Sequence, residues 1–249
     1  MKNFFDGQKG RLAEEESTIF NKNGDFLRES LGVKIRGCTI YEGDGAERYL
    51  SLDVKGATDK NSKKVLVDEF STFLSSFRRL RSVLCCGIGN PYVSCDALGE
   101  RTIRYLSKER IDGLKLTLCM PYGLTGIESR RIVKSICTDE KVDLCIVIDS
   151  LSARAVDKIG TTFQFTDSGI VPGSAVGGVK AIDDEIGVPV VAIGVPTVIR
   201  GDYLGVDDER ARERLFTPPN VDEIVDIASS RLANVIKQGV KRILKSKRT

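Results

Sequence analysis

Asp96 and Asp149 are the two residues of this sequence best placed for carboxylate chemistry. Asp149 ends the apolar run DLCIVI, and Asp96 lies just past the glycine turn that closes SVLCCGIGN. Both runs are too short for helices and read as buried strands. In open α/β sheets, sites gather beyond the carboxyl ends of the strands. If the two strands are parallel neighbours, both carboxylates point into one crevice. Two carboxylates held close cannot both ionise easily, so one pKa rises and the other falls. The ionised member can deprotonate a water while the protonated member donates to a substrate carbonyl or leaving amine. That chemistry is hydrolysis. A plainer role stands beside it, since an Asp after a strand is often a helix cap or a loop acceptor.

Other chemistries are narrowed by a missing residue type. The sequence has no histidine, which removes Ser-His-Asp and Cys-His catalysis, His-ligated zinc and imidazole acid–base chemistry. Ser150, Ser152 and Lys158 suggest a Ser-Lys pair, but nothing in their spacing fixes a geometry. The cysteines number seven, with no CxxC. Cys85, Cys86, Cys119, Cys137 and Cys145 lie in apolar contexts and read as buried, reduced thiols. No metal ligand set or cofactor motif is expected.

Two glycine-rich stretches bear on the crevice. Gly87-Ile88-Gly89-Asn90 starts like a phosphate loop, but the third glycine is missing and Pro91 falls where a helix should open. A tight turn that lets backbone approach the crevice fits better. Gly169, Pro172, Gly173, Gly177 and Gly178 follow Asp167 and could line a groove, offer amides to an oxyanion, or simply connect. The candidate substrate-binding or site-lining positions are Gly89 and Asn90, then Thr125, Gly126 and Glu128. Arg154, Asp167, Gly169 and Gly173 complete the set.

The elements that must position these residues alternate in type. VKIRGCTIY and RYLSLDVKG read as strands, Lys64 to Arg81 as a helix, and SVLCCGIGN as a buried strand. DALGERTIRYLSKE is a helix with Asp96 near its start, and KLTLCM a strand. TGIESRRIVKSICTDE is a helix with Thr125 at the N-cap and Glu128 three residues on, a capping-box pattern. DLCIVIDSL is a central strand ending at Asp149, TTFQFTD a further strand, and VPVVAIGVPTV another. A last helix runs from about Val221 to Lys245 behind Thr217-Pro218-Pro219.

Strands alternating with helices imply a three-layer α/β/α domain around a mixed, mostly parallel sheet. The segments near 33–55 and 161–166 suggest antiparallel additions. Residues 1–31 are polar and aperiodic and read as an N-terminal extension; residues 32–249 read as one α/β domain ending in a helix. With 41% hydrophobic and 29% charged residues, the chain has the balance of an ordered globular protein. A net charge of +3 is too small to argue for nucleic acid, and the basic KRILKSKRT tail reads as a solvated helix end. No run reaches the roughly 18–20 apolar residues of a membrane span, and the N-terminus lacks a signal-peptide core, so a cytoplasmic location is expected.

Five phrases recur together in a known family. GNPYVSCDALG, GLTGIESRRIV, DLCIVIDSLSAR, TTFQFTDSGIVPGSAVG and GVPVVAIGVPTV stand in an order and spacing that resemble the germination (spore) protease family. LFTPPNVDEIVDIASSRLANVI extends the likeness towards the end. The resemblance implies an endopeptidase that degrades small acid-soluble spore proteins in the spore core at germination. It also implies a hydrogenase-maturation-protease-like (phosphorylase/hydrolase-like) fold, a homotetramer, a self-processing zymogen and no cofactor. The family's two proposed catalytic aspartates map onto Asp96 in DALG and Asp149 in IDSL. A metal-sensing maturation peptidase and an inactive spore-protein-binding relative are the alternative readings. The sequence departs from the family at Ser94-Cys95, Glu100 and Ser150, and between Thr197 and Phe216 it lacks a long segment of typical members. GRLAEEE only loosely resembles the family's processing region, so a propeptide of about ten residues is an expectation alone.

Overall fold

In this computed structural model, which describes residues 33–35, 38–42, 48–54, 60–77, 80–108, 110–172, 181–206 and 208–245, the apolar runs assemble into one mixed sheet. Its strands are β1 (Val33–Ile35), β2 (Cys38–Glu42), β3 (Tyr49–Val54), β4 (Val83–Ile88), β5 (Leu114–Cys119), β6 (Leu144–Ala153), β7 (Thr162–Thr166), β8 (Val190–Arg200) and β9 (Leu215–Phe216). They lie in the order β1-β2-β3-β7-β8-β6-β4-β5, with β9 paired to the far end of β8. The helices are α1 (Lys60–Ser75), α2 (Leu98–Ser107), α3 (Tyr122–Thr125), α4 (Ser129–Asp139), α5 (Glu209–Arg212) and α6 (Val221–Lys245).

Parallel pairing joins β8, β6, β4 and β5. The antiparallel additions are present where expected, and β1, β2, β3 and β7 all pair that way. Parallel pairing is therefore confined to four strands rather than dominant. Too few residues separate β1, β2 and β3 for a crossover, and without one only antiparallel neighbours form.

Strand alternation sends alternate residues to opposite faces, and each face is covered. On one, Leu50, Leu52, Phe163, Phe165, Ile146 and Ile148 pack with Phe70 and Leu74 of α1, Leu98 of α2 and Leu232 and Ile236 of α6. On the other, Leu84, Cys86, Cys145, Val147 and Ala192 pack with Val133 and Cys137 of α4 and with Ile170, Ile182 and Ile186. This gives the three layers. The cysteines at 85, 86, 119, 137 and 145 are buried free thiols, and burial pushes the Cys85 thiol far up.

Helix α6 begins and ends where its periodicity predicts, burying Val225, Ala228, Leu232, Val235, Ile236 and Val240 on one stripe. Helix α1 stops at Ser75 rather than Arg81. The Ser75 and Ser76 hydroxyls donate to the Thr72 and Phe73 carbonyls, competing with the next helical turn. The capping box at Thr125 does not form. Thr125 belongs to α3, its hydroxyl bonded to the backbone of Ile127, and the N-cap of α4 is Glu128, with no side-chain cap. Among the described residues, no helix is long and apolar enough to cross a membrane. The segments 1–31 and 173–180, with Gly173, Gly177 and Gly178, lie outside the described residues.

Candidate active site

Asp96 is positioned by the turn that follows β4. Gly89 takes φ 118°, a left-handed backbone that only glycine adopts without strain, and a Cβ there would sit 2.1 Å from the Asp96 carbonyl oxygen. The turn thus folds back onto Asp96. The Asn90 amide donates to Asp96 Oδ2 at 2.7 Å, while Asn90 Oδ1 accepts from the Tyr92 amide at 3.0 Å. Residues Ser94–Asp96 form a single 3-10 turn, and α2 starts at Leu98 behind an Ala97 N-cap that has no side-chain bond. Asp96 is therefore a loop acceptor and not the cap of α2.

The environment of Asp96 favours its neutral form. Desolvation by burial holds its carboxyl above the usual carboxylate range, against the opposing pull of the Asn90 amide. Burial, and then the Asp96 charge, likewise push the neighbouring Cys95 thiol up. The turn is pinned to the sheet from β8, where the Thr197 hydroxyl donates to the Cys95 carbonyl at 2.6 Å. It packs against both β6 and β8.

Asp149 lies in β6, almost fully buried, with Oδ1 accepting from the Ser150 amide at 2.8 Å. It does not close its strand: β6 runs on to Ala153, because β8 continues alongside and pairs with each residue from Ser150 to Ala153. It does stand where β4 drops away. The β4–β6 ladder ends at Gly87 with Ile148, leaving Asp149 beside Gly194 of β8, in a strand that contacts the turn carrying Asp96. The structure thus brings the two aspartate-bearing elements into contact at the carboxyl end of the parallel strands.

The remaining candidates scatter. Gly89 and Asn90 build the Asp96 turn. Thr125, Gly126 and Glu128 follow β5 at the same end of the sheet, with Thr125 and Gly126 exposed. Arg154 follows the end of β6, its guanidinium 5.9 Å from the Tyr203 ring centre. Asp167 is held by Arg48, accepting from its amide at 2.7 Å and from Nε at 2.8 Å. Gly169, at φ 84°, passes so close to Ile182 that a Cβ would meet its carbonyl oxygen at 2.3 Å, beside the Ile170–Ile182 bridge. Lys158 pairs with Asp53, whose other oxygen accepts from Thr162 at 2.8 Å. That ion pair gives the ammonium a structural partner.

One residue passed over in the sequence stands out. Gln164 of β7 is fully buried and faces the same strand position as Asp149, each being the register partner of Gly194. In TTFQFTD it reads as the polar member of an alternating strand, and only the sheet order places it near Asp149. Among the described residues, no group of three or more His, Cys, Asp or Glu side chains is arranged to hold a metal ion. A recess of about 520 Å³ bounded by Ser107, Asp112, Gly113 and Leu116 opens at the amino end of β5, the opposite end of the sheet.

A sequence model described as germination protease matches residues 38–208. The germination protease of Bacillus subtilis (strain 168) is 36% identical over 224 residues, covering 77% of this chain and 61% of that protein. That of Bacillus velezensis is 34% identical over 224 residues, covering 78% of this chain and 59% of the relative. The chain thus spans about 60% of the length of these curated relatives. Among solved structures, the NiFe hydrogenase maturation protease HycI from Thermococcus kodakarensis aligns over 70% of this chain and 99% of its own, with TM-score 0.43 and 20% identity. The hydrogenase maturating endopeptidase HybD from E. coli aligns over 63% of this chain and 93% of its own, with TM-score 0.37 and 16% identity.

Proposed function

The chain belongs to the germination protease family, and on that premise we propose that it is an endopeptidase of small acid-soluble spore proteins, working through Asp96 and Asp149. The observation that carries this reading is the pairing of a carboxyl raised by burial, on the turn after β4, with a second buried carboxyl on the strand that the turn packs against. Asp149 takes a proton from water as its oxygen attacks the scissile carbonyl. Asp96, whose carboxyl burial pushes up, donates its proton to the leaving amine as the C–N bond breaks. The nucleophile is water, so no covalent enzyme intermediate forms. On the same footing the protein acts at spore germination, in the spore core, as a homotetramer released from a zymogen.

Incubation with a purified small acid-soluble spore protein tests this. The wild-type chain should give discrete fragments. Asp96→Asn and Asp149→Asn should each lower cleavage by about 1,000-fold or more while leaving the circular dichroism spectrum unchanged. Full activity in either variant overturns the mechanism. Binding without cleavage by the wild type supports the inactive-relative reading instead.

A further inference from the structure

We propose that Gln164 anchors the substrate backbone beside Asp149, its side-chain amide pairing with one peptide group across the bare backbone of Gly194. The inference rests on the protease reading and adds a binding residue to it.

Three observations carry it. First, Gln164 is fully buried, yet neither Oε1 nor Nε2 has a hydrogen-bond partner. Buried polar groups are satisfied in the great majority of native structures, so a side chain with donor and acceptor both orphaned calls for a missing partner. The two threonines flanking it along β7 do not share this state. Thr162 donates to Asp53, and Thr166 bonds Ser168 at 2.7 Å.

Second, the register fixes where the amide lies. Asp149 pairs with Gly194 in the β6–β8 ladder, and Gln164 pairs with Gly194 in the β8–β7 ladder. Register partners project to the same face, and this is the face away from Phe163 and Phe165, which point into the α1–α6 core. Asp149 and Gln164 are two strand spacings apart, about 9.6 Å between their Cα atoms. The residue between them has no side chain. No side chain of β8 at that position therefore stands between the carboxylate and the amide.

Third, the chemistry of the orphan matches the ligand. A primary amide offers one acceptor and an N–H donor side by side, the complement of a peptide group's N–H and C=O. A charged or purely accepting ligand would leave half of it unsatisfied. Asp149 and Gln164 are both buried, so a peptide that engages either must be admitted below the surface.

Gln164→Met, which keeps the volume and removes both polar groups, is the test, with Gln164→Leu as a second variant. Removing an orphaned amide relieves a buried polar group, so Tm should hold or rise. Cleavage of a small acid-soluble spore protein should fall about 100-fold in kcat/KM. In the Asp149→Asn background, which binds without cutting, Gln164→Met should weaken binding of the same protein about tenfold by calorimetry. Wild-type cleavage with both Gln164 variants within twofold of wild type overturns the anchor and leaves the protease reading standing. A fall in Tm that accounts for the lost activity assigns the amide to the fold and overturns it too. A wild-type chain that binds but never cuts overturns the protease reading, and weaker binding by Gln164→Met would then still uphold the anchor.

Discussion

The backbones of Gly87 and Gly99 meet where α2 descends onto the end of β4: a Cβ on Gly87 would lie 2.4 Å from the Gly99 carbonyl oxygen. A Cβ on Gly99 would in turn lie 2.3 Å from the Ile88 carbonyl oxygen. In both cases the nearest atoms are backbone and cannot yield as the end of a flexible side chain would. This contact fixes the depth at which the turn bearing Asp96 sits over the sheet.

Gly99→Ala sets two effects against each other. Helix propensity favours alanine by about 0.8–1.0 kcal/mol. Overpacking against rigid backbone costs about 1–3 kcal/mol, occasionally more. The steric term should win, lowering stability in urea melts and shifting the Asp96 turn enough to reduce cleavage. Gly123→Ala, where an added Cβ meets nothing within 4 Å, is the control and should stay within about 0.5 kcal/mol of wild type. Equal stability of the two variants would show that the contact at Gly99 relaxes freely.

Asp96 should leave a mark on the pH dependence of stability. Because burial favours its neutral form, the folded chain keeps a proton there at pH values where the unfolded chain, with a pKa near 3.8, has lost it. Stability then falls as pH rises from the unfolded value through the folded one. Asp96→Asn cannot ionise and escapes that loss. Wild type and variant should melt alike near pH 3, and the variant should gain a relative advantage as pH rises towards neutrality. A relative advantage that instead grows on acidification would mean that the carboxyl is stabilised as the anion. Wild-type cleavage should also decline on the alkaline side as Asp96 loses its proton.

The parts of this architecture legible in the sequence are those decided locally. Helix α6 has a long 3.6-residue stripe behind Pro218-Pro219, and its bounds follow from that pattern. β4 is an apolar run between turn signals, buried at every position. What escaped depends on partners. Ser150 and Ser152 look like the end of an apolar run, but β6 continues because β8 is long enough to pair with it, and the length of a neighbour is not written in the strand itself. Thr125 and Glu128 have capping-box spacing, yet Thr125 is spent on the turn before α4. Gln164 in TFQFT reads as an outward polar residue; its burial reflects what packs over β7, and its place opposite Asp149 comes only from the strand order. Asp96 and Asp149 could be selected from sequence because both follow short apolar runs. The contact between the elements that carry them could not, since it depends on β4 and β6 being neighbours.

Arg48 and Asp167 give a prediction about the antiparallel half of the sheet. Asp167 accepts from both the amide and Nε of Arg48, while Nη1 donates to the Phe73 carbonyl at 2.6 Å. The guanidinium also lies 4.3 Å from the Phe73 ring centre and 5.0 Å from that of Phe77. Arg48→Lys keeps the charge but loses the planar fork and its stacking. It should cost about 1–3 kcal/mol in denaturant melts. A loss below about 0.5 kcal/mol would show that charge alone carries the contact.

Asp53 and Lys158 should reveal how much of the polar face beside Gln164 is structural. Asp53 is buried on β3, accepting from Thr162 on β7 and paired with Lys158 beyond the end of β6. The pair links β3 to the segment leading into β7, so it braces the strand on which Gln164 stands. Asp53→Ala takes the carboxylate from the Thr162 hydroxyl and from the part-exposed Lys158 ammonium, and should cost about 1–3 kcal/mol. Replacing both removes the part-buried charge that has lost its partner, so the cost of Asp53→Ala with Lys158→Met should fall below the sum of the two single losses. Chemical denaturation of the two single variants and the double variant measures this coupling. Additive losses would mean that the ammonium is satisfied elsewhere, and that the orientation of β7 owes little to the ion pair.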